Sequence, residues 1–292
     1  MFNKEKVHLG IAPIGWCNDD MPELGAENTF RQTVSEMALA GFTGTEIGNK
    51  YPTDPKELKW ELDLRGMRIA SRWFSSFLLT KPFEEVAADF ERNLGFLAAV
   101  GANRINVSEQ SHSIQGQTGT PVLGGAKYVM NDAEWAQFCQ GLDQLGEIAN
   151  KHGFKLCFHH HMGTVVQTAE ETDRMMASTS PDKVFLCYDT GHFTFAGEDP
   201  LAMLREYADR VGHVHLKDMR RQVVDQVAPG GWSFLKAVRE GAFTVPGDGC
   251  VAFDPVFELL SKSGYEGWLL VEAGSRQSQS PGICHQSKKI YP

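Results

Sequence analysis

The chain has 292 residues, enough for one large single-core domain, and a barrel enzyme needs about 250. Hydrophobic residues at 42% and charged residues at 22% give an ordinary globular balance, and no apolar run approaches the roughly 20 residues of a membrane span. The net charge of −9, with no Lys/Arg stripe, argues against a nucleic-acid partner, because phosphates need a clustered positive face. Met1 to His8 lacks an apolar signal segment, so a cytoplasmic location is expected. Six cysteines without a C-x-x-C pair are expected to be reduced and mostly in the core, not disulfide-bonded or holding zinc.

Along the chain, short β-branched runs alternate with helical patterns. The first strand is Val7 to Ala12, followed by a helix with Phe30, Val34, Met37 and Ala38 on one face and a stop at Gly41. The second is Phe42 to Ile47, and its helix opens at Pro55. The third is Arg68 to Phe74. After it, Phe83, Val86, Ala87, Phe90, Leu94, Leu97 and Ala98 form the clearest apolar stripe in the chain. The fourth is Arg104 to Val107, and a polar loop from Ser108 to about Asn131 leads into a helix carrying Trp135, Phe138, Leu142 and Leu145. The fifth is Phe154 to His159, and Thr168-x-x-Glu171 predicts a capping box beyond it. The sixth is Lys183 to Asp189, followed by a helix from Pro200. The seventh is Val211 to Leu216, and a long connection with a helix around Phe253 to Leu260 leads to the eighth, Gly267 to Glu272.

Eight such units predict an α/β fold of the (β/α)8 TIM barrel type, with an open doubly wound sheet as the alternative. No G-x-G-x-x-G follows a strand, so nothing supports dinucleotide binding. Residues 1–273 are expected to form a single barrel domain. The segment 274–292 has no apolar stripe and resembles a frame-shifted tail, so the closing helix is expected to be missing or improvised.

Barrel chemistry sits at the C-terminal strand ends. Here four successive strands end in His159-His160-His161, Asp189-Thr190-Gly191-His192, His215-Leu216-Lys217-Asp218 and Glu272. His and carboxylate donors without thiolate suit Mn²⁺, Co²⁺, Zn²⁺ or Fe²⁺. A lone strand histidine is often just a packed core residue, and a strand-end carboxylate often only caps the next helix. Charged groups ending four buried strands on one rim nevertheless need partners. Alternation along a strand is expected to turn His160 and His213 away from His159 and His215. Gly10 to Gly25, Glu46 to Lys50, and Ser71-Arg72-Trp73 add polar and aromatic groups suited to a polyol. His112 is left undecided.

Asp189-x-x-His192, His215-x-Lys217-Asp218, Pro246-Gly247-Asp248-Gly249, Gly264-Tyr265-x-Gly267-Trp268 and Val271-Glu272 together resemble the xylose-isomerase-like barrel superfamily. Within it, GIAPIGWCNDDMPELG, TEIGNKYP, CFHHHMGT and YDTGHFTFAG resemble the inosose dehydratase family of myo-inositol catabolism. The resemblance covers nearly the whole chain up to Glu272. It implies a hydro-lyase that dehydrates 2-keto-myo-inositol (inosose), with Mn²⁺ or Co²⁺ as cofactor and glutathione often associated. It also implies metal ligands Asp189, His215 and Glu272, with His159 at a position where epimerase relatives carry Glu and His161 as its rival.

Candidate bases are His161 and Glu46, with Lys217 and His192 as acid or hydrogen-bonding partners. An imidazole in place of a carboxylate leaves the ion more positive, which favours polarising a ketone, and removes a carboxylate that epimerisation would use. Burial is expected to depress the Lys217 pKa toward neutrality, and the alternative role for Lys217 is simple pairing with Asp218 or Glu272. The competing readings are a sugar isomerase or epimerase and a non-catalytic polyol-binding protein on the same fold. The partner expected is a small polyol ketone. The oligomeric state is left open, a homo-oligomer included.

Overall fold

A computed structural model describes residues 2–273 of the chain; the expected atypical tail, 274–292, lies outside the described residues. The strands are β1 (Val7–Ile11), β2 (Gly44–Glu46), β3 (Arg68–Ser71), β4 (Trp73–Ser76), β5 (Arg104–Glu109), β6 (Lys155–Phe158), β7 (Val184–Asp189), β8 (Val211–Leu216), β9 (Asp218–Met219), β10 (Phe243–Thr244) and β11 (Gly267–Val271). Nine of them form one sheet in the order β3-β2-β1-β11-β8-β7-β6-β5-β4, with β9 and β10 paired separately. Every pairing in the large sheet is parallel.

The two edge strands, β3 and β4, are one run of chain broken only at Arg72. The sheet therefore closes through the backbone into the expected eight-position barrel. The predicted third strand is real, but it pairs with β2 through its first half and with β5 through its second. Parallel strands covered on both sides read as continuous apolar runs, and all six residues of β8 are buried.

The helices follow the predicted signals. They are α1 (Phe30–Leu39), α2 (Pro55–Asp63), α3 (Phe83–Ala99), α4 (Asp132–Lys151), α5 (Ala169–Ser178), α6 (Thr190–Ala196), α7 (Pro200–Tyr207), α8 (Arg221–Val224), α9 (Phe234–Arg239) and α10 (Phe253–Lys262). The Thr168–Glu171 capping box opens α5 as expected, and an Asn131–Glu134 box opens α4. Val86, Phe90, Leu94 and Leu97 bury the inner face of α3. Sequence patterning missed α6, α8 and α9. The first is buried almost all round, so it has no polar face to reveal a helical period, and the other two are only four and six residues long.

Two features position the site. At the N-terminal end of the barrel, Trp268 fills the interior so tightly that a Cβ on Gly44 would stand 2.2 Å from its ring. At the C-terminal end, the connection after β8 folds over the mouth and builds a second apolar cluster with Met162, Phe195, Met219, Phe234 and Phe243. Asp218 anchors this cover. Its Oδ2 accepts from the backbone N–H of Gly247 and Gly249 at 2.9 Å each, and its Oδ1 accepts from Val251 at 2.9 Å. Gly249 is needed there, because a Cβ would lie 2.4 Å from the Met219 carbonyl oxygen. Cys17, Cys139, Cys157 and Cys187 are buried free thiols, while Cys250 is exposed. No helix among the described residues is long and apolar enough to cross a membrane.

Candidate metal centre and active site

The barrel axis carries a polar layer above Trp268. Glu46, the last residue of β2, reaches inward. Its Oε1 accepts from Asn106 Nδ2 at 2.7 Å, His213 Nε2 at 3.0 Å, His215 Nε2 at 3.0 Å and the Ser71 hydroxyl. Burial opposes the charged carboxylate, but His215 and His213 outweigh it and hold Glu46 well below the usual carboxylate range.

His213 therefore corrects the expectation that it points away. Residues two apart on a strand share a face, so His213 and His215 both enter the barrel. His160 does turn outward as expected, stacking on Phe193 with ring centroids 3.7 Å apart. His152 is the C-cap residue of α4, and His112 stacks on Tyr128 with its backbone at φ 59°.

One level higher, His159, Asp189, His215 and Glu272 converge, each offering an atom within 4.8 Å of all the others. His159 Nε2 lies 3.3 Å from Asp189 Oδ2. His215 Nδ1 lies 3.5 Å from the same oxygen and 2.7 Å from Glu272 Oε2. Ligands at about 2.0–2.2 Å from one ion stand about 3–3.5 Å from one another, so this spacing fits a shared divalent cation. Asp189 divides its two oxygens between tasks. Oδ1 caps α6 through the N–H groups of Gly191 and His192, and Oδ2 faces the cluster.

The nitrogen chemistry fits as well. With Nε2–H of His215 given to Glu46, Nδ1 carries the lone pair, faces two carboxylates and makes no hydrogen bond of its own. Something positive must sit between them. Burial opposes protonation, but the carboxylates of Glu46, Glu272 and Asp189 outweigh it and hold His215 well above its ordinary pKa. A proton or a divalent ion satisfies the same geometry. Cys187 also lies within reach of His159 and His215, but burial pushes its thiol up to about 11, so it stays protonated.

Lys217 and two histidines flank the cluster. Lys217 Nζ donates to Glu272 Oε1 at 2.8 Å and to His192 Nε2 at 3.1 Å, and it stands 3.6 Å from Asp189 Oδ2. The expected depression of its pKa is not found. Burial lowers it, but Asp189 and Glu272 outweigh burial and raise it. Nor does it pair with Asp218, which is taken up by the covering loop. His161 is not in the four-donor group. Its Nδ1 sits 3.0 Å from the Met162 carbonyl, an N–H donor by that assignment, which leaves Nε2 as the basic nitrogen. Burial, then His159 and Lys217, push His161 well below its ordinary value, so it is neutral. His192 packs against it with ring centroids 4.0 Å apart and is likewise held neutral, by burial and then by His161.

These groups open on a cavity of about 790 Å³. Glu46, His159, His161, His215, Lys217 and Glu272 line it, whereas Asp189 and His192 stand behind the wall. Trp73 forms one side, edge-on to His159 and His161 at 5.4 and 5.5 Å between centroids. Asp20 faces it, with Gln115 Nε2 at 3.3 Å. Asn106 and Gln115 escaped sequence reasoning, because a single amide in a strand or a polar loop carries no spacing signal. Phe234, Leu235, Val238 and Phe243 reach the cavity from the connection after β8.

The sequence profile of the xylose isomerase-like TIM barrel family matches residues 34–290. The chain is 55% identical to an inosose dehydratase of Clostridium beijerinckii over 285 residues, 98% of this chain and 94% of that protein. It is 56% identical to an inosose dehydratase of Clostridium perfringens over the same shares. Among solved structures, a probable 3-DHS dehydratase from Bacillus anthracis superposes with a TM-score of 0.72 at 15% identity, covering 97% of this chain and 98% of that one. The IolI protein, solved with a bound zinc atom, superposes at 0.71 with 13% identity, covering 97% and 95%. At those identities the two structures speak to the fold alone. Barrel, site geometry and close relatives agree: the chain belongs to the inosose dehydratase family of xylose isomerase-like TIM barrels.

Proposed function

We propose that this protein dehydrates inosose, a six-membered cyclic ketone bearing a hydroxyl on each remaining ring carbon, and that His159, Asp189, His215 and Glu272 hold the divalent ion it needs. The observation that carries the reading is a neutral imidazole and a protonated amine opening on one cavity beside a four-donor cluster, in a chain 55% identical to named inosose dehydratases.

A divalent ion held by these four groups supplies Lewis-acid polarisation of the ketone. His161, neutral and with Nε2 free, takes the proton from the carbon next to the carbonyl. Lys217, kept as an ammonium by Asp189 and Glu272, gives a proton to the hydroxyl one carbon further on, which leaves as water. A C–H and a C–O bond break, a C=C bond forms, and the enol product relaxes to a dione. His192 orients the Lys217 ammonium through their 3.1 Å contact. Trp73 offers a flat apolar edge to the ring, and Asp20 with Gln115 offers hydroxyl partners.

Mn²⁺ or Co²⁺ is the ion of this proposal, since mixed imidazole and carboxylate donors suit them. Glutathione and a cytoplasmic location belong to the same proposal and rest on the family resemblance and on the sequence alone. The roles are tested by His161→Ala, assayed on inosose with bound metal measured in the same sample. Turnover should fall about 10²-fold or more while the metal stays bound. Normal turnover with metal bound would remove His161 from the reaction.

A further inference from the structure

We infer that Glu46, buttressed by His213, is a positioning residue that sets which nitrogen of His215 faces the divalent ion. The inference rests on the metal-centre reading above.

The geometry is specific. One carboxylate oxygen, Glu46 Oε1, takes contacts from Ser71, Asn106, His213 and His215, which sit on β3, β5 and β8. That oxygen is thereby taken up in holding four neighbours, and it is the one that faces His215. In the sheet, β2 and β8 are separated by β1 and β11, so the Glu46–His215 contact spans the barrel interior. Two groups stand beside His215 Nε2: Glu46 Oε1 at 3.0 Å, which can only accept, and the Asn106 amide nitrogen at 3.3 Å, which itself donates to Glu46, so the Nε2–H goes to the carboxylate. That bond fixes the tautomer and presents Nδ1 to the cluster of Asp189 and Glu272. His213 donates to the same oxygen from two residues earlier on the same strand, so strand and carboxylate hold each other in register. His213 does not line the cavity; it touches Glu46 through Nε2 and packs against His215 with ring centroids 5.2 Å apart, so it acts on the cluster from behind.

The test uses Glu46→Gln and His213→Gln, each stripped of metal and titrated with Co²⁺, following both the visible absorption of the bound ion and calorimetry. A positioning carboxylate predicts metal affinity about 10- to 100-fold weaker for Glu46→Gln and a smaller loss for His213→Gln. It also predicts that kcat on inosose at saturating metal falls by less than about tenfold, with a changed Co²⁺ spectrum. Unchanged Co²⁺ binding in both variants would overturn the inference. So would a loss of kcat beyond about 10²-fold with the ion fully bound, which is the signature of a lost base. If Glu46→Gln does not fold, His213→Gln decides: weaker Co²⁺ binding with a changed spectrum is expected, and unchanged binding would overturn the inference. A wild-type protein that binds no divalent ion would overturn both this inference and the metal-centre reading. Wild-type binding with unaltered variants would overturn this one only.

Discussion

Lys217 Nζ and Glu272 Oε1 lie 2.8 Å apart, one just past β8 and the other just past the neighbouring β11. A lysine that is only a structural counter-ion and a lysine that protonates a leaving group would look alike in a static picture. They differ in what their removal does.

If Lys217 is the acid, Lys217→Met removes proton donation while freeing Glu272 and Asp189 of a competing cation. Turnover of inosose should fall by about 10²- to 10⁴-fold. Metal affinity should hold or rise, because two carboxylates lose their ammonium partner. Metal content by elemental analysis, taken beside the rate, separates this from a plain loss of structure. A variant that loses its metal and keeps its residual rate per bound ion would make Lys217 structural.

Gly191 gives an indirect handle on the same ammonium. A Cβ at this position would stand 2.6–2.8 Å from Cγ, Cβ and Cδ of Lys217. The methylene chain is flexible enough to yield, but it yields by moving Nζ off Glu272 and His192. Gly191→Ala should therefore lower kcat at least about tenfold while costing about 1–3 kcal/mol of stability. Full activity in a folded Gly191→Ala protein would show that the position of Nζ is not critical.

Glu61 makes a prediction about stability. It sits on α2 with its side chain 3% exposed, 2.7 Å from Arg31 on α1 and 2.8 Å from Arg65. Burial raises its pKa, but Arg65 and Arg31 outweigh burial and leave it below its ordinary 4.5. The ionised form is thus favoured in the folded state. The contribution is complete above about pH 4.5 and is lost as the pH falls through the lower folded value. Arg31 is largely exposed and screened by solvent, so Glu61→Gln should cost only about 1–2 kcal/mol at pH 7. The gap in Tm between wild type and variant should close as the pH falls below 4.5. A gap that is constant down to pH 3 would rule out the charge as its source.

Much of this was readable from the sequence, for identifiable reasons. Buried parallel strands are mostly apolar, so β7 and β8 stood out with their site residues set among apolar ones, and the stripe from Val86 to Leu97 could only be a helix. The site was legible where several donors end successive strands, which is why His159, Asp189, His215 and Glu272 could be grouped before their distances were known. Contacts between strands far apart in the sheet left no trace in one dimension. Glu46 meets His213 and His215 over 167 and 169 residues, and no local pattern reports that. His213 was misassigned by a parity slip that the barrel geometry exposes at once. The sign of the Lys217 shift was missed because burial was visible in the pattern, whereas the two carboxylates around the ammonium were not. Alternation could not separate His159 from His161, because β6 ends at Phe158 and both rings turn toward the cavity; only the distances group His159 with Asp189, His215 and Glu272.

The central claim is that a divalent ion at His159, Asp189, His215 and Glu272 makes this chain an inosose dehydratase. The direct measurement is ultraviolet absorbance of inosose mixed with chelator-stripped protein, before and after addition of Mn²⁺ or Co²⁺. The account predicts no change before addition, and growth of the conjugated enolic product afterwards. A reconstituted, metal-bound protein that leaves inosose intact, or that instead interconverts ketose epimers, would contradict it.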